Sequence, residues 1–368
     1  MQIGIIGCGV VGAAIAFELS QTHQVTVWDA RSPHQWQATR AALGVLMAAM
    51  TPKLKGKHLQ LRLDSLRLYE TLIPELEALT NLSLPYNRQG ILHLCFDGDE
   101  LNRWSRTQQA RAQQGFHLDI LDQENLFQTY PHLRAAHLWE SKTSVVGAIY
   151  SPQDRQIDPV ALSTALIAAA QKNGAEFYFD TPISSFKSLR GDDPQSLTDV
   201  CSPTESYPVD WVIVSAGLGS TPLTTTLQQT VPIYPVLGQA LHLRRQHPLV
   251  DPLPVVNGDQ VHIVPLNASE VWVGATVEFP SEVGSSIEAD PVQLKELHQR
   301  AIALDESLAH ASILRTWSGL RPRPHERPAP IIERLPGYDN VVVASGHYRN
   351  GVLLAPITAQ KVRQLISN

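Results

Sequence analysis

The sequence predicts an α/β protein, with a parallel sheet assembled from both ends of the chain and an antiparallel-sheet (α+β) domain inserted into it. Three observations carry that prediction. A strand, a glycine turn, a helix and a second strand occupy residues 2–29; short buried strands ending in small residues recur at Trp211–Gly217 and Asn340–Gly346; and strand-patterned segments fill Val231 to Glu278 between them. At 368 residues, 43% hydrophobic and 17% charged, the chain is long enough for a substantial core and two lobes, which excludes a disordered or fibrous protein.

Gln2–Ile6 is a brief β-rich apolar run, after which Gly7-Cys8-Gly9-Val10-Val11-Gly12 opens a helical pattern over Ala13–Ser20. A second β-branched run, Gln24–Trp28, ends at Asp29, about twenty residues beyond Gly7, the spacing of a dinucleotide site. The glycines allow a tight turn and close approach of the backbone to a pyrophosphate, whose charge meets the amides and dipole of the helix N-terminus. Asp29 would accept hydrogen bonds from ribose hydroxyls. Strand, helix and terminal acid in register favour a ligand-binding unit over a bare βαβ fold, but these residues alone choose neither NAD nor FAD.

The small-residue stretch Ala38–Leu46 either lets backbone approach a flat ligand or forms a helix packed tightly in the core. Helical spacing over His58–Leu79 predicts an amphipathic helix, Arg88–Cys95 a strand after a turn, and Asp99–Gln114 a charged helix. Val146–Tyr150 reads as a strand, Asp158-Pro159 as the start of a helix over Val160–Gln171, and Gly174–Asp180 as the next strand. Arg190–Tyr207 is a polar loop or hairpin excursion. Strands are expected at Val236–Leu243, Val261–Pro265 and Val271–Thr276, then a helix over Gln293–Ala309, a strand at Asn340–Ser345, and a final helix from Pro356 to Ile366.

At Gly346-His-Tyr-Arg-Asn-Gly-Val-Leu-Leu-Ala-Pro356 the sequence resembles the thiamine-pathway glycine oxidases, within the D-amino-acid oxidase family of FAD-dependent amine oxidases. Trp317-Ser-Gly-Leu-Arg-Pro322, Val273-Gly-Ala-Thr-Val-Glu278, Pro235-Val-Leu-Gly-Gln239 and the GxGxxG start follow the family's order over nearly the whole chain. The resemblance implies a Rossmann-like FAD-binding domain, residues 1–85, 145–230 and 315–368, with an inserted antiparallel-sheet substrate domain, residues 86–144 and 231–314.

It also implies residue roles. Gly7, Gly9, Val10, Val11 and Gly12 match the pyrophosphate turn, and Asp29, Ala30 and Arg31 the ribose end, where the family more often has Glu than Asp29. Ala41, Ala42, Gly44 and Leu46 match the segment along the flavin, although Arg40 stands where a small hydroxyl residue is common. Ile183 matches a residue whose backbone meets adenine, with plain core packing as its alternative. Ser215, Ala216 and Gly217 match a strand end near the cofactor, and His347, Tyr348, Arg349, Asn350, Gly351, Val352 and Leu353 the flavin loop. Arg321 matches the arginine that pairs with the substrate carboxylate, a task suited to the planar donors of a guanidinium; the alternative is a surface arginine. Arg349 matches a second active-site arginine, or else anchors its loop. His262 stands where these enzymes usually have a tyrosine, so either it donates a hydrogen bond to the carboxylate with a different reach or it is structural. Val45 and Val277 occupy positions that can wall the pocket, with plain core packing as the alternative for both.

The implied reaction is oxidative deamination of glycine or another small amino acid, with hydride passing from the α-carbon to flavin N5 and O2 giving an imine and hydrogen peroxide. Orientation replaces a dedicated base in that scheme, and no Ser/His/Asp or Cys/His set is evident. Sarcosine or D-amino-acid oxidase or dehydrogenase is the nearest alternative; a nicotinamide-dependent dehydrogenase and a non-catalytic flavin protein are readings of other classes. No cysteine stands in or just after the Gly346–Gly351 loop, so FAD is expected to be non-covalent. A thiazole synthase partner and a homo-oligomer, commonly a tetramer, are implied.

The balance of 29 basic against 35 acidic residues, formally −6, offers no broad positive field for nucleic acid. Cys8, Cys95 and Cys201 form no CxxC pair or metal spacing, which fits a reducing compartment. No apolar run reaches the ~18 residues of a membrane span and no signal peptide opens the chain, so a cytoplasmic protein without membrane contact is expected.

Overall fold

The computed structural model describes residues 1–33, 35–188, 195–250, 252–281 and 286–367. Among these, Gln2–Ile6, Gln24–Trp28, Glu176–Tyr178, Trp211–Val214 and Val341–Ser345 pair in parallel. Ile331–Arg334 adds an antiparallel edge, so a six-stranded sheet runs 331–334, 341–345, 211–214, 2–6, 24–28, 176–178. The central parallel strands, 2–6, 211–214 and 341–345, are nearly continuous apolar runs because both faces are covered. Helices Val10–Ser20, Lys57–Thr80, Pro159–Lys172 and Gly351–Ser367 pack on one face through Ile15, Leu63, Leu166 and Val362. On the other, Trp28, Val200 and Val212 pack under an antiparallel meander, Ser185–Ser188, Leu197–Cys201 and Ser206–Pro208, which is the form the polar excursion takes. Residues 189–194 of that excursion lie outside the described residues.

The larger sheet has eight strands in the order 312–324, 233–244, 270–274, 261–265, 255–258, 91–95, 147–151, 119–122. It is not wholly antiparallel as expected, because Val255–Gly258 pairs in parallel with Ile91–Cys95. These two strands come from separate stretches of chain, so no hairpin dictates their direction. Two strands also cross the expected domain division: Gly147–Ser151 pairs with Ile91–Cys95, and Ser312–Pro324 with Ile233–Arg244. Apolar patterning marks a strand without saying which sheet its edges complete.

The final helix begins at Gly351, not at Pro356. Proline lacks the N–H that would close on Val352 O, and the Tyr69 hydroxyl of the long helix donates to that carbonyl instead. Ser65 Oγ bonds the next carbonyl, Leu353 O, at 2.6 Å. The long helix thus supplies the bond that the final helix lacks at Val352 O and adds one at Leu353 O. No helix among the described residues is long and apolar enough to cross a membrane.

Candidate active site

A cavity of about 840 Å³ runs from the carboxyl ends of Gln2–Ile6 and Trp211–Val214 to the larger sheet. This is the switch point where open α/β sheets bind ligands. Its dinucleotide end is built by the glycine turn. Gly7 has φ 101°, and a Cβ on Gly12 would lie 1.9 Å from Gly7 O, so helix and turn meet only because both positions lack side chains. Asp29 closes the turn: Oδ2 accepts from Cys8 N at 2.7 Å and Oδ1 from Arg31 N at 3.0 Å. Each oxygen retains a second lone pair for an outside donor. Thr39 Oγ1 accepts from Val10 N at 3.0 Å and caps the helix, so a hydroxyl is supplied one position before Arg40.

The middle of the cavity is lined by Ala41, Ala42, Gly44 and Val45. Ala38–Ala41 is a short helix whose last carbonyl, Ala41 O, accepts from Trp317 Nε1 at 3.1 Å, so this stretch both packs tightly and faces the cavity. Trp36 Nε1 and Arg62 Nε, on residues lining the cavity, are buried with no hydrogen-bond partner among the described residues. Two orphaned donors, a glycine cradle and a carboxylate at the ribose end fit an elongated ligand rich in acceptors, as FAD is.

Arg321, Arg349 and His262 line the opposite end. Arg321 pairs with Val236 across the two longest strands, and its guanidinium crosses Gly238 on the neighbouring strand. A Cβ there would lie 2.1 Å from Arg321 Nη2. Nη1 donates to Leu237 O at 3.1 Å and Thr276 O at 3.0 Å, leaving Nε and Nη2 with no partner among the described residues. Burial and then the Arg349 charge lower the Arg321 pKa, with Tyr348 and Glu278 opposing. Arg349 is exposed and stacks its guanidinium 5.5 Å from the Tyr348 ring centre. His262 is pushed down to about 4 by burial and then by Arg349 and His93, so it is neutral at pH 7. Arg349 therefore acts on both Arg321 and His262, and the three side chains converge.

Most sequence-predicted residues line this one cavity, including Gly9, Val11, Ala30, Ile183, Ser215, Ala216, Gly217, His347, Tyr348, Asn350, Gly351 and Val352. Gly12, Leu46, Leu353 and Val277 are not among its lining residues. Gly12 packs on the turn; Leu46 follows Val45 on a strand and so points to the opposite face; Leu353 is one helical step past Val352 and enters the core. Sequence reasoning missed Trp36, Thr39, Arg62 and Gln260. Thr39 could have been sought as a cap for the Val10 helix; the others carry no local signal.

The sequence profile of the family described as FAD-dependent oxidoreductase matches residues 2–365. A bifunctional ThiO/ThiG protein of Synechocystis sp. is 32% identical over 372 aligned residues, covering 98% of this chain and 51% of that protein. The chain thus spans about half the length of that relative. A glycine oxidase of Geobacillus kaustophilus is 28% identical over 366 residues, covering 99% of this chain and 92% of that enzyme. The crystal structure of a glycine oxidase from Geobacillus kaustophilus superposes with a TM-score of 0.85 at 26% identity, covering 99% of this chain and 94% of the other.

Proposed function

From the premise that the chain belongs to the DAO family of FAD-dependent oxidoreductases, we propose that it oxidatively deaminates glycine or another small amino acid. The observation that carries this reading is the convergence of two arginines and a neutral histidine at one end of a cavity whose other end is a dinucleotide turn. Gly7, Gly9, Val10 and Val11 would hold the pyrophosphate, Asp29 the ribose, Ile183 the adenine side, and Ala41, Ala42, Gly44 and the Gly346–Val352 loop the flavin, without a covalent bond. When bound, FAD supplies the two-electron acceptor that converts the amine to an imine.

The chain's own residues orient the substrate. Arg321 offers Nε and Nη2 to a carboxylate while its Nη1 is fixed to two carbonyls, so the donor fork cannot turn away. Arg349 adds a second positive charge, and His262 contributes a donor without a third. An anion is drawn to this end, and the amine is left toward the middle of the cavity. The amino acid, dioxygen and water are consumed, and the oxo acid, ammonia and hydrogen peroxide are released. Glycine oxidase names among the relatives support the small substrate, and the ThiO/ThiG relatives support a thiazole synthase partner. A cytoplasmic homo-oligomer, tetrameric as the resemblance implies, belongs to the same reading and is checked by light scattering of the holoenzyme.

Anaerobic mixing of the holoenzyme with glycine, sarcosine, D-alanine and D-proline tests the proposal. Flavin bleaching by glycine, with peroxide formed once air is admitted, is expected. Rapid bleaching by D-proline with none by glycine would reject the glycine assignment, and no bleaching by any of the four would reject amino-acid oxidation.

A further inference from the structure

Three adjacent strands of the larger sheet place His93, Asn257 and His262 side by side: Asn257 is the register partner of both histidines. Asn257 Nδ2 lies 3.2 Å from Val261 O and 3.1 Å from His262 Nδ1; its Oδ1 lies 2.6 Å from His93 Nδ1. Glu100 Oε1, on the helix Gly98–Gln113, lies 3.2 Å from His93 Nε2.

The direction of these bonds follows from chemistry. A carbonyl only accepts, so the Asn257 atom facing Val261 O is the amide nitrogen, and the His93 contact at Oδ1 holds the side chain in that orientation. The same nitrogen donates to His262 Nδ1, which must accept and carries no proton. The proton of the neutral ring then sits on Nε2, which has no partner among the described residues and belongs to a residue lining the cavity. On the far side, Asn257 Oδ1 requires a donor from His93 Nδ1, and the Glu100 carboxylate takes the other ring nitrogen. Glu100 is held below the usual carboxylate range, chiefly by its hydrogen bond to His93.

We propose that Glu100, His93 and Asn257 are a positioning relay that locks His262 in its Nε2-protonated tautomer, so that the ring presents a fixed donor and no acceptor to the carboxylate of the ligand. That the anion is an amino-acid carboxylate rests on the oxidase reading above; the tautomer does not. Among the described residues, Arg349 on the Gly346–Gly351 loop and His93 on the strand Ile91–Cys95 both disfavour the cationic form of His262. Protonating His262 at Nδ1 would force Asn257 to turn and abandon both Val261 and His93. The relay and the cavity charge therefore act in the same direction.

The holoenzyme labelled with ¹⁵N-histidine reads the tautomer directly, with His262 identified by the signals lost in His262→Gln. Its Nδ1 is expected at the shift of an unprotonated imidazole nitrogen. Asn257→Asp places an acceptor against Nδ1 and should move the proton there; the Kd of acetate, followed through flavin absorbance, should rise about tenfold, as when one donor to a charged group is lost. For the amino acid, KM should rise more than kcat falls. His93→Gln keeps a donor to Asn257 and should retain both tautomer and affinity, whereas His93→Leu should lose both. A protonated Nδ1 in the unmodified protein, or His93→Leu leaving tautomer and acetate affinity unchanged, would overturn the relay. If no amino acid is oxidised but the tautomer and acetate results hold, the substrate assignment alone fails.

Discussion

Arg321 owes its position to a missing atom. Its guanidinium lies where a Cβ on Gly238 would stand, within 2.3 Å of Cζ, so the glycine is a condition of the site and not of the strand. Gly238→Ala should leave FAD binding in place while raising the substrate KM by about one to two orders of magnitude, the loss of a two-pronged ionic contact. Titration of the holoenzyme with glycine checks it, and an unchanged KM would show that the fork sits elsewhere. His347 makes a second prediction at this scale. Its ring is buried, Nε2 lies 2.9 Å from Thr358 Oγ1, and burial pushes its pKa down to about 3. Below about pH 6.5 the unfolded chain takes up the proton that the folded ring refuses, so this contribution is full above that pH and is lost as pH falls toward 3. Stability should drop by about 1.4 kcal/mol per pH unit for this one imidazole. Comparing urea midpoints at pH 7 and pH 5, His347→Gln should show a shallower fall than the unmodified protein.

Among elements, residues 47–53 leave the cavity wall at Met47 outside any helix or strand and depend on charged side chains from elsewhere. Asp154, fully buried, accepts from Ala48 N, Ala49 N and Met50 N at 2.7, 2.9 and 2.9 Å. Arg111 donates to Ala49 O, Thr51 O and Lys53 O, and Arg62 to Met47 O. These three amides and four carbonyls are answered one by one by side chains, where a strand would answer them as a set. Asp154→Ala strands three buried amides and removes a negative charge that favours the Arg62 and Arg111 cations, and should destabilise the protein by at least about 3 kcal/mol. Asp154→Asn, which retains one acceptor oxygen, should lose less. Urea unfolding of both variants measures the difference, and equal losses would contradict this account. The same dependence on distant partners explains the final helix, whose start at Gly351 was hidden because Pro356 resembles a first-turn proline until Tyr69 is seen on the carbonyl it frees.

For the molecule as a whole, the cavity is a seam between two sheets, lined by residues as far apart in sequence as Gly7 and Arg349. A ligand that fills it ties the six-stranded sheet to the eight-stranded one. FAD at a hundredfold excess over its Kd should therefore add about 2.7 kcal/mol to stability, with the Tm rising as FAD is added to apoprotein. Acid precipitation should release the yellow chromophore into the supernatant, since the three cysteines, all buried, are outside the cavity lining. A yellow pellet would refute the non-covalent assignment.

Local sequence was sufficient where the determining forces are local. The strand, turn, helix and strand of residues 2–28 could be read directly, because glycine conformation, apolar periodicity and the position of Asp29 are set within a few turns of chain. The motifs around Arg321 and Arg349 likewise carried the two arginines to the site. Tertiary structure alone decided which face each neighbouring residue showed: Val45 lines the cavity and Leu46 the core, a distinction that strand polarity makes only after the sheet is placed. It also decided the row Glu100, His93, Asn257 and His262, whose two halves meet through the pairing of Ile91–Cys95 with Val255–Gly258, strands distant in sequence. Hydrogen-bond register between separate segments is fixed by the packing of the whole fold, and no short stretch of sequence encodes it.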